Sequence, residues 1–115
     1  MARYTSLFTV GASLESLRQQ LPDLLRSCEL DIIYDSGDYL VAREIPGRVS
    51  YAKLVTVEVL IDRFPTSDNE VRMNFVVKNE ELPLKVDNHC RQMFTEVNRA
   101  IAENQHWHLI ESAAS

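Results

Sequence analysis

Two segments in the middle of the chain alternate between apolar and polar residues with a period of two. In the first segment, Val49–Arg63, the apolar positions are 55, 57, 59 and 61, and in the second, Val71–Lys78, they are 71, 73, 75 and 77. Successive side chains of a strand point to opposite faces, so this pattern predicts two strands with one buried and one solvated face. The turn-rich segment Phe64–Glu70 joins them, which predicts an antiparallel pair.

The rest of the chain adds three predicted strands. Tyr4–Val10 alternates in the same way, and Leu30–Asp35 and Tyr39–Glu44 flank a Ser-Gly-Asp turn signal. A second turn follows over residues 44–48, where Pro46-Gly47 suits a type II bend because glycine accepts a positive φ.

Apolar residues that recur every three or four positions predict two amphipathic helices. The first helix has Ser13 at its N-cap and runs to about Cys28. Pro22 lies inside it, which predicts a kink or a split into two short helices. The second helix is capped by Asp87 or Asn88 and ends near position 104. Residues 106–110 follow as either a further strand or an apolar tail.

Together these elements predict an α+β domain of order β-α-β-β-β-β-α. Its antiparallel sheet has about five strands, with the two helices packed on one face. The element order is similar to TATA-binding-protein-like and helix-grip topologies and, as a pattern only, to small α+β domains related to secretion chaperones. Such a likeness implies a fold and no function. We expect a single domain over residues 1–111 and a short flexible tail over residues 112–115.

Charge and hydropathy narrow the expected partners. The chain has 115 residues and a net charge of −5, with a pI of about 5.1. An acidic domain with scattered arginines is repelled by phosphate backbones, so nucleic-acid binding is not expected. No apolar run is long enough to cross a membrane, and the start of the chain lacks the apolar core of a signal peptide, so we expect no membrane partner and a cytoplasmic location.

Residue types that carry chemistry occur, but no catalytic motif joins them. His106 and His108 have the spacing of two metal ligands on a strand, and the third ligand that a site needs could come from His89, Cys90 or Glu111. The alternative interpretation is two surface histidines on either side of a buried Trp107. His89 and Cys90 are neighbours near a helix start, where they point about 100° apart, and Cys90 falls on the apolar stripe. We interpret Cys90 and Cys28 as buried core thiols. The sequence therefore predicts no catalytic residue, no cofactor and no metal.

The leading hypothesis is a non-enzymatic protein-interaction module, of adaptor or chaperone-like type, that binds a protein partner or itself as a homodimer. It would act through the open sheet face or an edge strand, because the long strands carry a polar face of mixed charge. The candidate partner-binding residues are Tyr51, Glu58, Arg72 and Asn74, of which Glu58 and Arg72 could pair across the strands.

The alternative hypothesis is small-molecule or lipid binding in a helix-grip cavity between the sheet and the second helix. The residues predicted to line that cavity are Val57, Val59, Phe75, Val77, Phe94 and Val97.

Overall fold

The structure is a computed structural model, and it describes residues 1–62, 70–82, 88–105 and 107–114. The elements, in chain order, are β1 Ala2–Gly11, α1 Leu14–Ser27, β2 Leu30–Asp35, β3 Tyr39–Glu44, a 3-10 turn Tyr51–Lys53, β4 Thr56–Ile61, β5 Glu70–Asn79, α2 His89–Glu103 and β6 His108–Ala114.

All neighbouring strands of the single six-stranded sheet are antiparallel, in the order β2-β3-β4-β5-β1-β6. The predicted α+β class is confirmed, with six strands in place of about five. The central pair β4 and β5 is in register at Val57 opposite Val77 and at Val59 opposite Phe75. Alternation in the sequence therefore identified both the pair and its buried face.

The first strand of that pair is shorter than predicted. β4 begins at Thr56, whereas the predicted strand began at Val49. The 3-10 turn Tyr51–Lys53 interrupts the extended backbone, and Leu54 and Val55 are both buried although they are adjacent in sequence. Two consecutive buried residues break a period of two, so the strand pattern starts only after them. The predicted connecting turn over residues 64–69 lies outside the described residues.

α1 is one continuous helix that is not split at Pro22. The Ser13 side chain accepts a hydrogen bond from the backbone N–H of Ser16 at 3.1 Å, which confirms the predicted N-cap. Proline removes one backbone donor from the helix, and burial of four leucines along the core side of α1 offsets that cost.

The C-terminal elements resolve two open predictions. The Asn88 side chain caps α2 by accepting from the backbone N–H of Arg91 at 2.8 Å, whereas Asp87 lies outside the described residues. The Trp107 indole donates to the carbonyl of Ile101 at 3.0 Å and is buried in the core. The chain then forms β6 along β1. The structure thus places residues 112–114 in a strand, where a flexible tail was expected over residues 112–115.

Both helices pack on one face of the sheet, α1 beside β2 and α2 across β1 and β5. The side chains predicted for a helix-grip cavity all lie in this interface. Five of them are fully buried and Phe94 is 4% exposed, and together they belong to one continuous hydrophobic core. No described element covers the other face of the sheet.

Candidate functional site

The open face is the side of the sheet turned away from α1 and α2. It is formed by alternate positions 3–9 of β1, 39–43 of β3, 56–60 of β4 and 72–78 of β5, whose neighbours point into the core. Because paired residues of antiparallel strands share a face, the register fixes which of these side chains are neighbours.

A mostly apolar row crosses the centre of the open face. Leu60 lies opposite Tyr39 on one side and Asn74 on the other, and Asn74 lies opposite Leu7. Leu60 is 52% exposed. A shallow groove of about 500 Å³ runs beside this row, between Leu7 and the neighbouring Val76. Apolar side chains at the centre of a polar sheet face are typical of a surface that contacts another protein.

Three of the four predicted partner-binding residues lie together on this face. Glu58 and Asn74 are diagonal neighbours on β4 and β5, and Arg72 precedes Asn74 by two positions along β5. The predicted pairing of Glu58 with Arg72 is wrong. Glu58 forms an ion pair with Lys78 at 2.7 Å, because the register sets Glu58 opposite Val76, four positions from Arg72.

Tyr51, the fourth predicted residue, lies apart from the other three. It belongs to the 3-10 turn before β4, so it stands at the end of the sheet instead of on its face, and it is 76% exposed. It lines two hollows, which share Arg43, Tyr51 and Leu54 as lining residues. We call this region the Tyr51 corner.

The two hollows of the Tyr51 corner differ in chemistry. The polar hollow, of about 260 Å³, reaches the open face and is also lined by Thr56, Lys78 and Glu80. The apolar hollow, of about 230 Å³, is also lined by Ile33, Ile45, Pro46, Asp31 and Glu44.

Sequence reasoning missed a buried carboxylate–imidazole pair behind the Tyr51 corner. The Glu44 side chain is fully buried, and its two oxygens lie 2.8 and 3.0 Å from Nε2 of His89. One oxygen also accepts from the backbone N–H of Val55 at 3.1 Å. The signal for this pair was present in the sequence, since Glu44 continues the core-facing phase of β3 after Leu40 and Ala42.

A second carboxylate, Glu81, lies next to the start of α2. Desolvation by burial acts to raise the pKa of Glu81. The pKa is nevertheless lowered overall, because Glu81 accepts hydrogen bonds from the Asn79 side chain and from the backbone N–H groups of Cys90 and His89, and because the His89 charge is nearby. The carboxylate is thus stabilised in its ionised form at a helix N-terminus. Its contacts join Asn79 of β5 to Cys90 of α2.

The cysteines behave as core thiols, as predicted. Desolvation by burial and the nearby Glu81 charge raise the pKa of Cys90 to about 12, and burial also raises the pKa of Cys28. His89 contacts Glu44 and does not serve Cys90, whose Sγ lies 3.4 Å from the carbonyl of Val77. A neutral thiol is a poor nucleophile.

The described residues contain neither a cluster of metal ligands nor a membrane-spanning helix. Within the described ranges of the chain, no three His, Cys, Asp or Glu residues converge as metal ligands, and His106 lies outside those ranges. Of the helices that the structure describes, none has the length and hydropathy needed to cross a membrane.

Comparisons with known proteins add little to the geometry. No protein-family model matches the chain, and no curated protein matches it. One solved structure, described as a conserved protein from Geobacillus kaustophilus, is similar at 14% sequence identity and a TM-score of 0.40. That similarity covers 93% of this chain and 99% of the other. At this level it carries no inference about function.

Proposed function

We propose that this chain is a non-enzymatic protein-interaction module and that its open sheet face is the binding surface. The observation that carries the proposal is the apolar row through Leu7 and Leu60, which lies on a face that no described element covers. Burying such a row against a second surface removes apolar area from water and favours association.

The dimensions of the open face fit a second copy of the same chain. Six strands spaced about 4.8 Å apart make the sheet about 24 Å wide. Strands of 6 to 10 residues make it about 20 to 33 Å long at about 3.3 Å per residue. The face therefore offers roughly 500–800 Å² per copy, compared with about 800 Å² per partner in a standard interface.

The charges of the open face also fit self-association. Arg3 lies at the end where β4 begins, and Glu111 lies at the opposite end, beside Thr9 and Arg72. Two copies that stack face to face with their strands reversed bring opposite ends of the face together. Arg3 of one copy then approaches Glu111 of the other while the apolar rows meet at the centre.

The test is sedimentation analysis of the wild type and of Leu60→Glu across the micromolar range. The wild type is expected to sediment as a dimer at the upper concentrations. Leu60→Glu puts a carboxylate in the centre of the interface and is expected to weaken the dimer roughly 30-fold or more. Gln19→Glu, on the exposed side of α1, adds the same charge away from the face and serves as the matched control.

Two outcomes contradict the proposal. A wild type that stays monomeric at every concentration rules out a second copy as the occupant of the face. A dimer that Leu60→Glu and Gln19→Glu affect equally places the interface elsewhere on the molecule.

A further inference from the structure

Exposed apolar side chains converge at the Tyr51 corner. Three of them, Ile33, Ile45 and Tyr51, are 57%, 46% and 76% exposed and line the same apolar hollow. They come from β2, from the turn after β3 and from the 3-10 turn before β4, so three separate segments build one concave surface. Concave apolar surfaces that hold an exposed tyrosine are typical of the anchoring points of protein interfaces.

The cation that lines both hollows is Arg43. Within the part of the chain that the structure describes, the Arg43 guanidinium forms no ion pair and no hydrogen bond, whereas Lys78 is paired with Glu58. Asp31 lies opposite Arg43 in the strand register and also lines the apolar hollow, but the two side chains form no ion pair. Arg43 is therefore available to a carboxylate supplied from outside the molecule.

The division between the hollows specifies how such a ligand lies. An apolar side chain fits among Ile33, Ile45 and Pro46, and a carboxylate attached next to it reaches Arg43, which lines both hollows, and Lys78, which lines the polar hollow. Asp31 lines the apolar hollow and Glu80 lines the polar hollow, so a second carboxylate on the ligand would be repelled there.

We propose that the Tyr51 corner binds a peptide segment of another protein that carries a large apolar residue adjacent to an acidic residue. Each hollow, at about 230 to 260 Å³, holds one side chain and lies below the range of about 300 to 1,000 Å³ that is usual for small-molecule sites. This size favours two neighbouring side chains of a peptide over a single compact ligand. The site is separate from the self-association proposed above and does not depend on it.

The experiment uses short synthetic peptides as probes. The ¹⁵N-labelled protein is titrated with acetyl-GSGFEGSG-amide and acetyl-GSGEFGSG-amide, and amide chemical shifts are followed by NMR. Saturable shifts are expected at Arg43, Tyr51 and Leu54 with at least one of the two peptides. Replacing the peptide glutamate with lysine, or its phenylalanine with alanine, is expected to weaken binding about threefold to tenfold or more.

Protein variants separate the contribution of charge from that of shape. Arg43→Gln is expected to lose the preference for glutamate over lysine in the peptide while it keeps the preference for phenylalanine over alanine. Arg99→Gln, on the exposed side of α2, removes one arginine elsewhere and is expected to bind the peptides as the wild type does. Leu60→Glu is also expected to bind normally, so a failed dimer and a failed peptide site give different results.

Three outcomes overturn the proposal. The first is an absence of saturable shifts at the corner with both peptides. The second is equal binding of the glutamate and lysine peptides by the wild type. The third is binding of 3-phenylpropionate as tight as that of either peptide, which assigns the corner to a small organic acid instead.

Discussion

The buried pair of Glu44 and His89 gives a prediction whose size follows from its contacts. Replacing Glu44 with Met removes a fully buried carboxylate that accepts from Val55 N–H and contacts the imidazole through both oxygens. The Val55 N–H is then buried without an acceptor, which costs about 1–3 kcal/mol. The imidazole, in a side chain that is 12% exposed, loses its partner as well, so Glu44→Met is expected to cost about 3–5 kcal/mol in total.

His89→Leu is expected to cost a similar amount because it leaves the Glu44 carboxylate buried with a single donor. Independent effects would sum to about 6–10 kcal/mol, but the double variant replaces both partners by apolar side chains. It loses mainly the Val55 acceptor, so the expected cost of the double variant is about 1–3 kcal/mol. The double variant is therefore expected to be more stable than either single variant.

Urea unfolding at pH 7, followed by far-UV circular dichroism, measures all four free energies of the cycle. Domains of this size have about 5–15 kcal/mol of stability. If the wild type lies at the lower end of that range, the cost of a single variant is enough to unfold the domain. Glu44→Gln keeps the shape and the acceptor for Val55 and supplies a milder member of the series. Single-variant costs that add to within about 0.5 kcal/mol in the double variant refute the argument, because uncoupled sites are additive to that extent.

Two further predictions concern thiols and acid stability. Burial raises the pKa of Cys90 to about 12 and also raises that of Cys28. Both thiols are therefore expected to react with Ellman's reagent at pH 8 more than about 100-fold more slowly in the native protein than in urea. Equal rates in the two conditions contradict their assignment to the core. Because the folded-state pKa of Glu81 is lowered from 4.5, its contribution to stability is present above that value and is lost as the pH falls through the folded-state pKa. Glu81→Gln is therefore expected to lower the free energy of unfolding at pH 7. The difference in unfolding free energy from the wild type is expected to shrink below pH 4.5. If urea titrations at pH 7 and pH 3 give the same difference, this linkage is refuted.

The parts of the fold that the sequence predicted are those in which local pattern and tertiary packing agree. Alternation located β5 to within one residue at each end, and it identified the buried face of β4. Ser13 and Asn88 marked both helix starts because a capping side chain bonds to a backbone N–H only three residues away. In each case the deciding interaction is set by neighbouring residues or by a strict period.

Elements and contacts set by distant residues could not be predicted in this way. β6 is an edge strand whose side chains are mostly exposed, so it needs no apolar phase, and a register shift near Thr9 disturbs its pairing. Glu44 and His89 are 45 residues apart, and no local pattern joins them. Tyr51 was placed on the sheet face because the predicted strand was extended seven residues too far towards the N-terminus, past the 3-10 turn.

The two proposed surfaces have a joint consequence for affinity. Leu60 lies four residues beyond Thr56 along β4, about 13 Å from the end of the strand that borders the Tyr51 corner. A dimer centred on Leu60 would therefore present two corners, each with a hollow that accepts a single side chain. One such contact is weak, but two segments on the same partner bind with an effective concentration in the millimolar range when their spacing matches the separation of the corners. A partner with two acidic-apolar segments is then expected to bind the wild type far more tightly than Leu60→Glu, although a single short peptide binds both equally.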